Sequence, residues 1–184
     1  PGTHVARLLL EYVCLLQRDF HRDQLFDLLS SPWIKVQGLG KTEIRLLEKA
    51  ALQVGIVQGL QEWTVDFSSW IAHDAQQLKQ TGKAVDAATL AASYIPFRDF
   101  VEALSLDVDS TRTLAQWLQD LTQKITPFCK LPDGSPSWLR RENLSLKAYQ
   151  DSLRNLALAW EDRPLTLDRA RFAPSPLVSQ AGFL

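Results

Sequence analysis

The sequence predicts an all-α fold, a multi-helix bundle. Three observations carry this. Apolar residues recur at three- and four-residue steps along most of the chain, strand-like alternation is nearly absent, and the connections between periodic runs are short. Trp33–Val36 is the only short strand candidate. The 184 residues are 46% apolar and 22% charged, enough for one domain with a real core or at most two small ones, and too apolar for disorder.

The elements follow in order. Val5, Leu8, Leu9, Tyr12, Val13 and Leu16 form the stripe of an amphipathic helix, with Thr3 as its N-cap. A second, short helix fits Asp23–Leu29. Ser30-Ser31-Pro32 stops it, because proline disfavours helical geometry in the residue before it. Pro32–Gly40 is a connector. A third helix runs over Thr42–Val54, with Gly55 as its stop. A fourth runs over Glu62–Gln80, with Trp63, Phe67, Trp70, Ile71 and Leu78 along one face.

From Asp86 the pattern is alanine-rich, and Pro96 is expected to limit the helix there. Phe97, Phe100, Val101 and Leu104 give the next face. Asp107–Ser110 reads as a turn, and Asp109 or Ser110 as the cap of a helix over Thr111–Ile125. Pro127–Ser137 is the longest loop. A last helix fits Glu142–Trp160, with Leu144, Leu146, Tyr149, Leu153, Leu156 and Trp160 inward. Residues 1–161 thus read as one helical domain and 162–184, with Pro164, Pro174 and Pro176, as a weakly structured tail.

Several classes fall on composition. No apolar run reaches the roughly 18–20 residues of a membrane span, so no membrane association is expected. The Leu8–Leu16 run lacks the flanks of a signal peptide. Cys14 and Cys129 cannot make a disulfide framework or a four-ligand zinc site, and they suit a reducing, cytoplasmic setting. There is no methionine, and the chain opens at Pro1-Gly2 and closes at Phe183-Leu184. A piece cut from a longer polypeptide is expected, with a processed mature protein as the alternative.

No constellation of residues reads as catalytic, and no metal or cofactor site is expected. Gly38-Leu39-Gly40-Lys41-Thr42 has the flavour of a phosphate-binding loop. Its full pattern needs a glycine where Lys35 stands, so a flexible turn with Thr42 capping the third helix is the simpler reading. Asp107 and Asp109 have no histidine partner for a metal. His4, His21 and His73 meet no ligand spacing.

The net charge is -1, so the chain as a whole is not basic, but the charge is uneven. Lys35, Lys41, Arg45 and Lys49 cluster around the third helix, and Arg140 and Arg141 open the last one. These six are the DNA-contact candidates, each phosphate contact being sensitive to salt. The alternative is a solvated helical face. Among six tryptophans, Trp63, Trp70, Trp117 and Trp160 keep phase with leucines and read as core. Trp33 and Trp138 sit on connectors and are the aromatic contact candidates.

Several segments resemble one family. The stretch from His4 to Ile34, with Leu28-Leu29-Ser30-Ser31-Pro32, is similar to the region that follows the helicase-like core in AddB-type ATP-dependent helicase/nuclease proteins. Ala51, Gly55, Ile56, Gly59 and Trp63 resemble that family's Ala-x-x-x-Gly-Ile … Gly … Trp pattern. The run from Phe97 to Leu121 resembles its later helix pair. The likeness covers most of residues 4–160 and extends to RecC-like proteins. It implies a helical accessory subdomain of the superfamily 1 helicase 2B type, non-catalytic and without a cofactor of its own. The implied role is in double-strand-break repair, bracing a motor-like core. The implied partners are the remainder of the parent, a helicase partner and duplex DNA. The family's Asp … Glu-x-Lys nuclease site and cluster cysteines have no matching positions here, so no catalytic residue carries over. A generic helical protein-interaction module without a DNA role is the alternative.

Overall fold

Helical periodicity in the sequence becomes helix in the structure, a computed structural model that describes residues 4–80, 84–130, 140, 144, 147, 151, 155 and 164–167. Six α-helices have both ends among these residues, and there is no strand among them. They are α1 (His4–Gln17), α2 (Arg22–Ser30), α3 (Lys41–Val54), α4 (Phe67–Gln80), α5 (Ala84–Leu104) and α6 (Leu114–Ile125). Within Trp33–Val36 there is no strand: Pro32 and Trp33 form a turn, Ile34 N–H donating to Ser31 O at 3.1 Å, and Ile34 is a single bridge residue. The chain divides into two units, one taking in Pro1–Gln17 and Leu106–Leu184 and the other Arg18–Ser105. Both boundaries fall inside the span 1–161 that the sequence suggests is a single domain.

In the Arg18–Ser105 unit, α4 packs on α5, and α3 lies against both α5 and α2. Aromatic side chains fill the middle. Trp63 meets Phe26, Phe67 and Phe97 with ring centroids 5.7–6.0 Å apart. Tyr94 stands edge-on to Phe67 at 5.6 Å. A buried indole must still place its N–H on an acceptor. Trp63 Nε1–H donates to Phe20 O at 2.7 Å. That carbonyl is presented by an unusual turn in which Asp19 and Phe20 both have positive φ, 47° and 57°. A left-handed phenylalanine is strained and persists only when its surroundings hold it. Here Asp19 O accepts from Gly59 N at 2.6 Å, Asp19 Oδ1 accepts from Leu60 N at 3.3 Å, and Arg22 N–H donates to Val57 O at 2.7 Å.

Two departures from the sequence reading lie in this unit. The fourth helix does not start as an ordinary α-helix, since Glu62–Asp66 is a π turn that runs into α4. A π turn loosens carbonyls, and the Tyr94 hydroxyl covers two of them, lying 3.1 Å from Trp63 O and 2.9 Å from Thr64 O. Pro96 does not limit a helix; α5 runs through it. A proline inside a helix loses one N–H bond and crowds the carbonyl four residues back, at a cost of about 3 kcal/mol. Burial of Tyr94, Phe97, Phe100, Val101 and Leu104 on both sides of it offsets that cost.

In the other unit α1 packs on α6. Leu8, Leu9, Tyr12, Leu15 and Leu16 of α1 and Leu114, Trp117, Leu121 and Ile125 of α6 are buried. The cap of α6 is neither Asp109 nor Ser110. Thr113 Oγ1 accepts from Gln116 N at 3.2 Å while Gln116 Oε1 accepts from Thr113 N at 2.8 Å, a reciprocal capping box. Asp107 instead closes its own turn, its Oδ1 accepting from Asp109 N at 3.2 Å.

Residues 164–167 return to this unit. Arg112 and Leu165 exchange two backbone hydrogen bonds, 3.1 and 2.7 Å. Trp117 Nε1–H donates to Leu165 O at 2.9 Å, and Leu165 and Leu167 are buried. Within the 140–155 segment, positions 140, 144, 147, 151 and 155 are helical and exposed. Leu144, expected inward, is 59% exposed and shares that outer face with Arg140 and Lys147. The other positions that read as its inward face, and Thr3, Leu78 and the loop beyond Lys130, lie outside the described residues or side chains.

Trp63→Phe keeps the ring contacts but orphans the Phe20 carbonyl. It should lower unfolding stability by about 2 kcal/mol, seen as a lower urea midpoint with unchanged helical circular dichroism.

Candidate nucleic-acid interface

The basic cluster is set in place by its apolar neighbours. Ile34 and Val36 are buried, so the intervening Lys35 points to solvent. A turn closed by Leu39 N–H to Val36 O at 3.1 Å then brings the chain to Gly38. Gly38 has φ +85°, a backbone geometry that favours glycine, and it lies beside the Pro96 ring of α5. Gly40 begins α3. Its N–H donates to the Glu43 carboxylate at 3.0 Å. A Cβ on Gly40 would lie 2.6 Å from that oxygen. Thr42 therefore lies inside the first turn and is not the cap. The glycine-rich run Gly38–Thr42 is a helix entry whose Gly40 amide is already taken by a carboxylate.

α3 buries Ile44, Leu47, Ala50 and Ala51. It ends on Gly55 in the left-handed region, φ 81°, whose N–H reaches Ala51 O and Leu52 O. With that face inward, residues 41, 45 and 49 fall on the outward side at four-residue spacing. Lys41, Arg45 and Lys49 are all exposed. The stripe climbs about 6 Å per step along the helix. Glu48, one turn on from Arg45, is exposed and borders it.

Four other cations among the described residues are paired, whereas Arg18, Lys124 and Lys130 have no carboxylate partner there. Arg7 lies 2.8 Å from Glu11, Arg22 3.3 Å from Asp23, Arg98 2.8 Å from Asp99, and Arg112 3.0 Å from Asp120. Among the described residues, Lys35, Lys41, Arg45 and Lys49 have no carboxylate partner. Lys41 is also poorly placed for stability. It occupies the first residue of α3, at the positive end of the helix dipole, where a cation costs about 0.3–1 kcal/mol.

The remaining candidates separate. Arg140 is exposed and belongs to the other unit. Arg141 and Trp138 lie outside the described residues. Trp33 is half-buried and engaged by its surroundings, its backbone N–H donating to Ser31 Oγ at 3.4 Å. Glu48 joins the cluster from outside the sequence-derived candidates. Its signal is the three-residue step from Arg45, which places one carboxylate beside the row of cations.

Among the described residues, no group of three or more histidine, cysteine or acidic side chains is arranged to hold a metal, and no helix is long and apolar enough to cross a membrane. Burial raises the Cys129 thiol above its ordinary range, and its Sγ lies 3.5 Å from Ile125 O, the setting of an inert thiol. Comparison with known proteins finds no matching family model, no matching curated protein and no matching solved structure.

Lys41→Glu reverses the charge at the start of α3 without touching the buried face. It should stabilise the fold by about 1 kcal/mol, measured as a higher thermal midpoint at low salt.

Proposed function

We propose that this chain is a non-catalytic helical domain of a DNA double-strand-break-repair helicase/nuclease, a 2B-like accessory region that braces a motor-like core in the cytoplasm. The observation that carries the DNA contact is the α3 stripe. Lys41, Arg45 and Lys49 share one exposed face, Lys35 stands on the connector before it, and none has a carboxylate partner among the described residues. Unpaired cations held on one rigid element are what a phosphate backbone recruits. The repair role is supported by the resemblance of the 4–160 segments to AddB-type proteins. On this reading the partners are the rest of the parent protein, a helicase partner and duplex DNA.

A protein-interaction module without a DNA role is the second reading. It draws on Leu52 in the last turn of α3 and Val57 just beyond it, which are 54% and 48% exposed.

Fluorescence anisotropy with a labelled forked duplex separates the two. The expected result is weak binding that falls steeply as salt is raised and is lost when Lys41, Arg45 and Lys49 are all changed to Glu. Absence of binding at low salt would remove the direct DNA contact and leave the bracing role, and binding indifferent to the triple change would remove α3 as the contact.

A further inference from the structure

We infer that α3 is a phosphate ladder for one strand of a DNA duplex, in which each of Lys41, Arg45 and Lys49 takes one phosphate and Glu48 limits the grip. This rests on the nucleic-acid reading above and adds the mode of contact, the form of the ligand and a role for Glu48.

Side chains four residues apart on a helix lie about 6 Å apart along its axis and about 40° apart around it, so the three cations span about 12 Å on a slowly winding row. A strand of duplex DNA carries one phosphate per roughly 3.4 Å of duplex axis, and its backbone spirals, so phosphates are spaced more widely along that path. A slowly winding row of point charges at this pitch can follow successive phosphates of one strand.

The rail is also rigid, because it is fixed on several sides. The buried residues Ile44, Leu47, Ala50 and Ala51 hold the back of α3, and the Gly40–Glu43 and Gly55 caps hold its ends. A preset rail suits a stiff duplex, whereas a single strand would have to be ordered on it at an entropic cost. Single-strand binding is normally supported by aromatic platforms, and α3 contains no aromatic residue.

The charges point the same way. Lys41 is kept where the helix dipole disfavours it, which sets the requirements of the rail against those of the helix. Glu48 borders the row and repels any phosphate that Arg45 and Lys49 attract. A contact weakened in this way releases and rebinds readily, as a domain must when the duplex moves past it.

The test is a salt titration of the full chain against a labelled blunt duplex and a single strand of the same length. Lys41→Ala, Arg45→Ala, Lys49→Ala and Glu48→Gln variants are compared, each shown to be folded by thermal melting. Each alanine variant should lower the slope of log affinity against log salt on duplex by about 0.9. Glu48→Gln should tighten duplex binding about two-fold at low salt. Duplex should be preferred to single strand, and a scrambled duplex should bind equally well. The ladder is overturned if the alanine variants leave the slope unchanged while triple charge reversal still abolishes binding. It is equally overturned if single strand is preferred or Glu48→Gln weakens binding. A triple reversal that binds as well as the unaltered chain also overturns the ladder, whereas absence of duplex binding by the unaltered chain at low salt removes the nucleic-acid reading itself, which keeps the two failures apart.

Discussion

A buried indole N–H must find an acceptor, and this constraint shapes both units of the chain. Trp63 Nε1 donates to Phe20 O across 43 residues of sequence, and Trp117 Nε1 to Leu165 O across 48. In each case the bond ties a helical turn to a segment that has no helical hydrogen bonds of its own to offer. In the first it holds a left-handed Asp19–Phe20 turn in place. In the second it fixes a short returning strap that also pairs with Arg112. Each ring therefore supplies hydrophobic burial and one directional bond, and the directional bond decides where the non-helical chain goes.

The candidate interface depends on the first of these. Trp63 packs on Phe97 of α5, and α5 forms the wall on which α3 lies. Pro96, one residue before Phe97, sits against Gly38 and helps define how the connector enters α3. Once α3 buries Ile44, Leu47, Ala50 and Ala51, the direction of its cations is no longer free. The basic stripe is a consequence of packing on the opposite face. It can therefore be rigid while every charge on it is solvated.

Much of this is legible in the sequence, and the exceptions share a cause. The helices emerge from apolar spacing, because that spacing is what tertiary packing selects. Trp63 and Trp117 read as core from their phase with leucines. The Gly55 stop and the Ser31-Pro32 break are visible as local chemistry. Pro96 misleads because local propensity argues for a break, whereas the aromatic core around Tyr94 and Phe97 outweighs one lost hydrogen bond. The π turn at Glu62–Asp66 leaves no local signature, and it carries the Trp63 that bonds Phe20 O. The α6 cap is written in the sequence as Thr113-x-x-Gln116, but Asp109 and Ser110 are equally good cap types a few residues earlier. Leu144 reads as inward on residue type alone, although it is in phase with Arg140, Lys147 and Asp151. At the interface, the cluster of Lys35, Lys41, Arg45 and Lys49 is visible as composition. Its meaning as a single rail, and the place of Glu48 beside it, require the buried face of α3 to be known.

Amine-reactive footprinting of the lysines tests most directly whether the outer face of α3 is where the chain meets DNA. Labelling is read by mass spectrometry with and without duplex DNA. The expected result is protection of Lys35, Lys41 and Lys49, with Lys124, Lys130 and Lys147 labelled equally in both states. Protection confined to the latter group, or none on α3 at a DNA concentration that saturates binding, would contradict it.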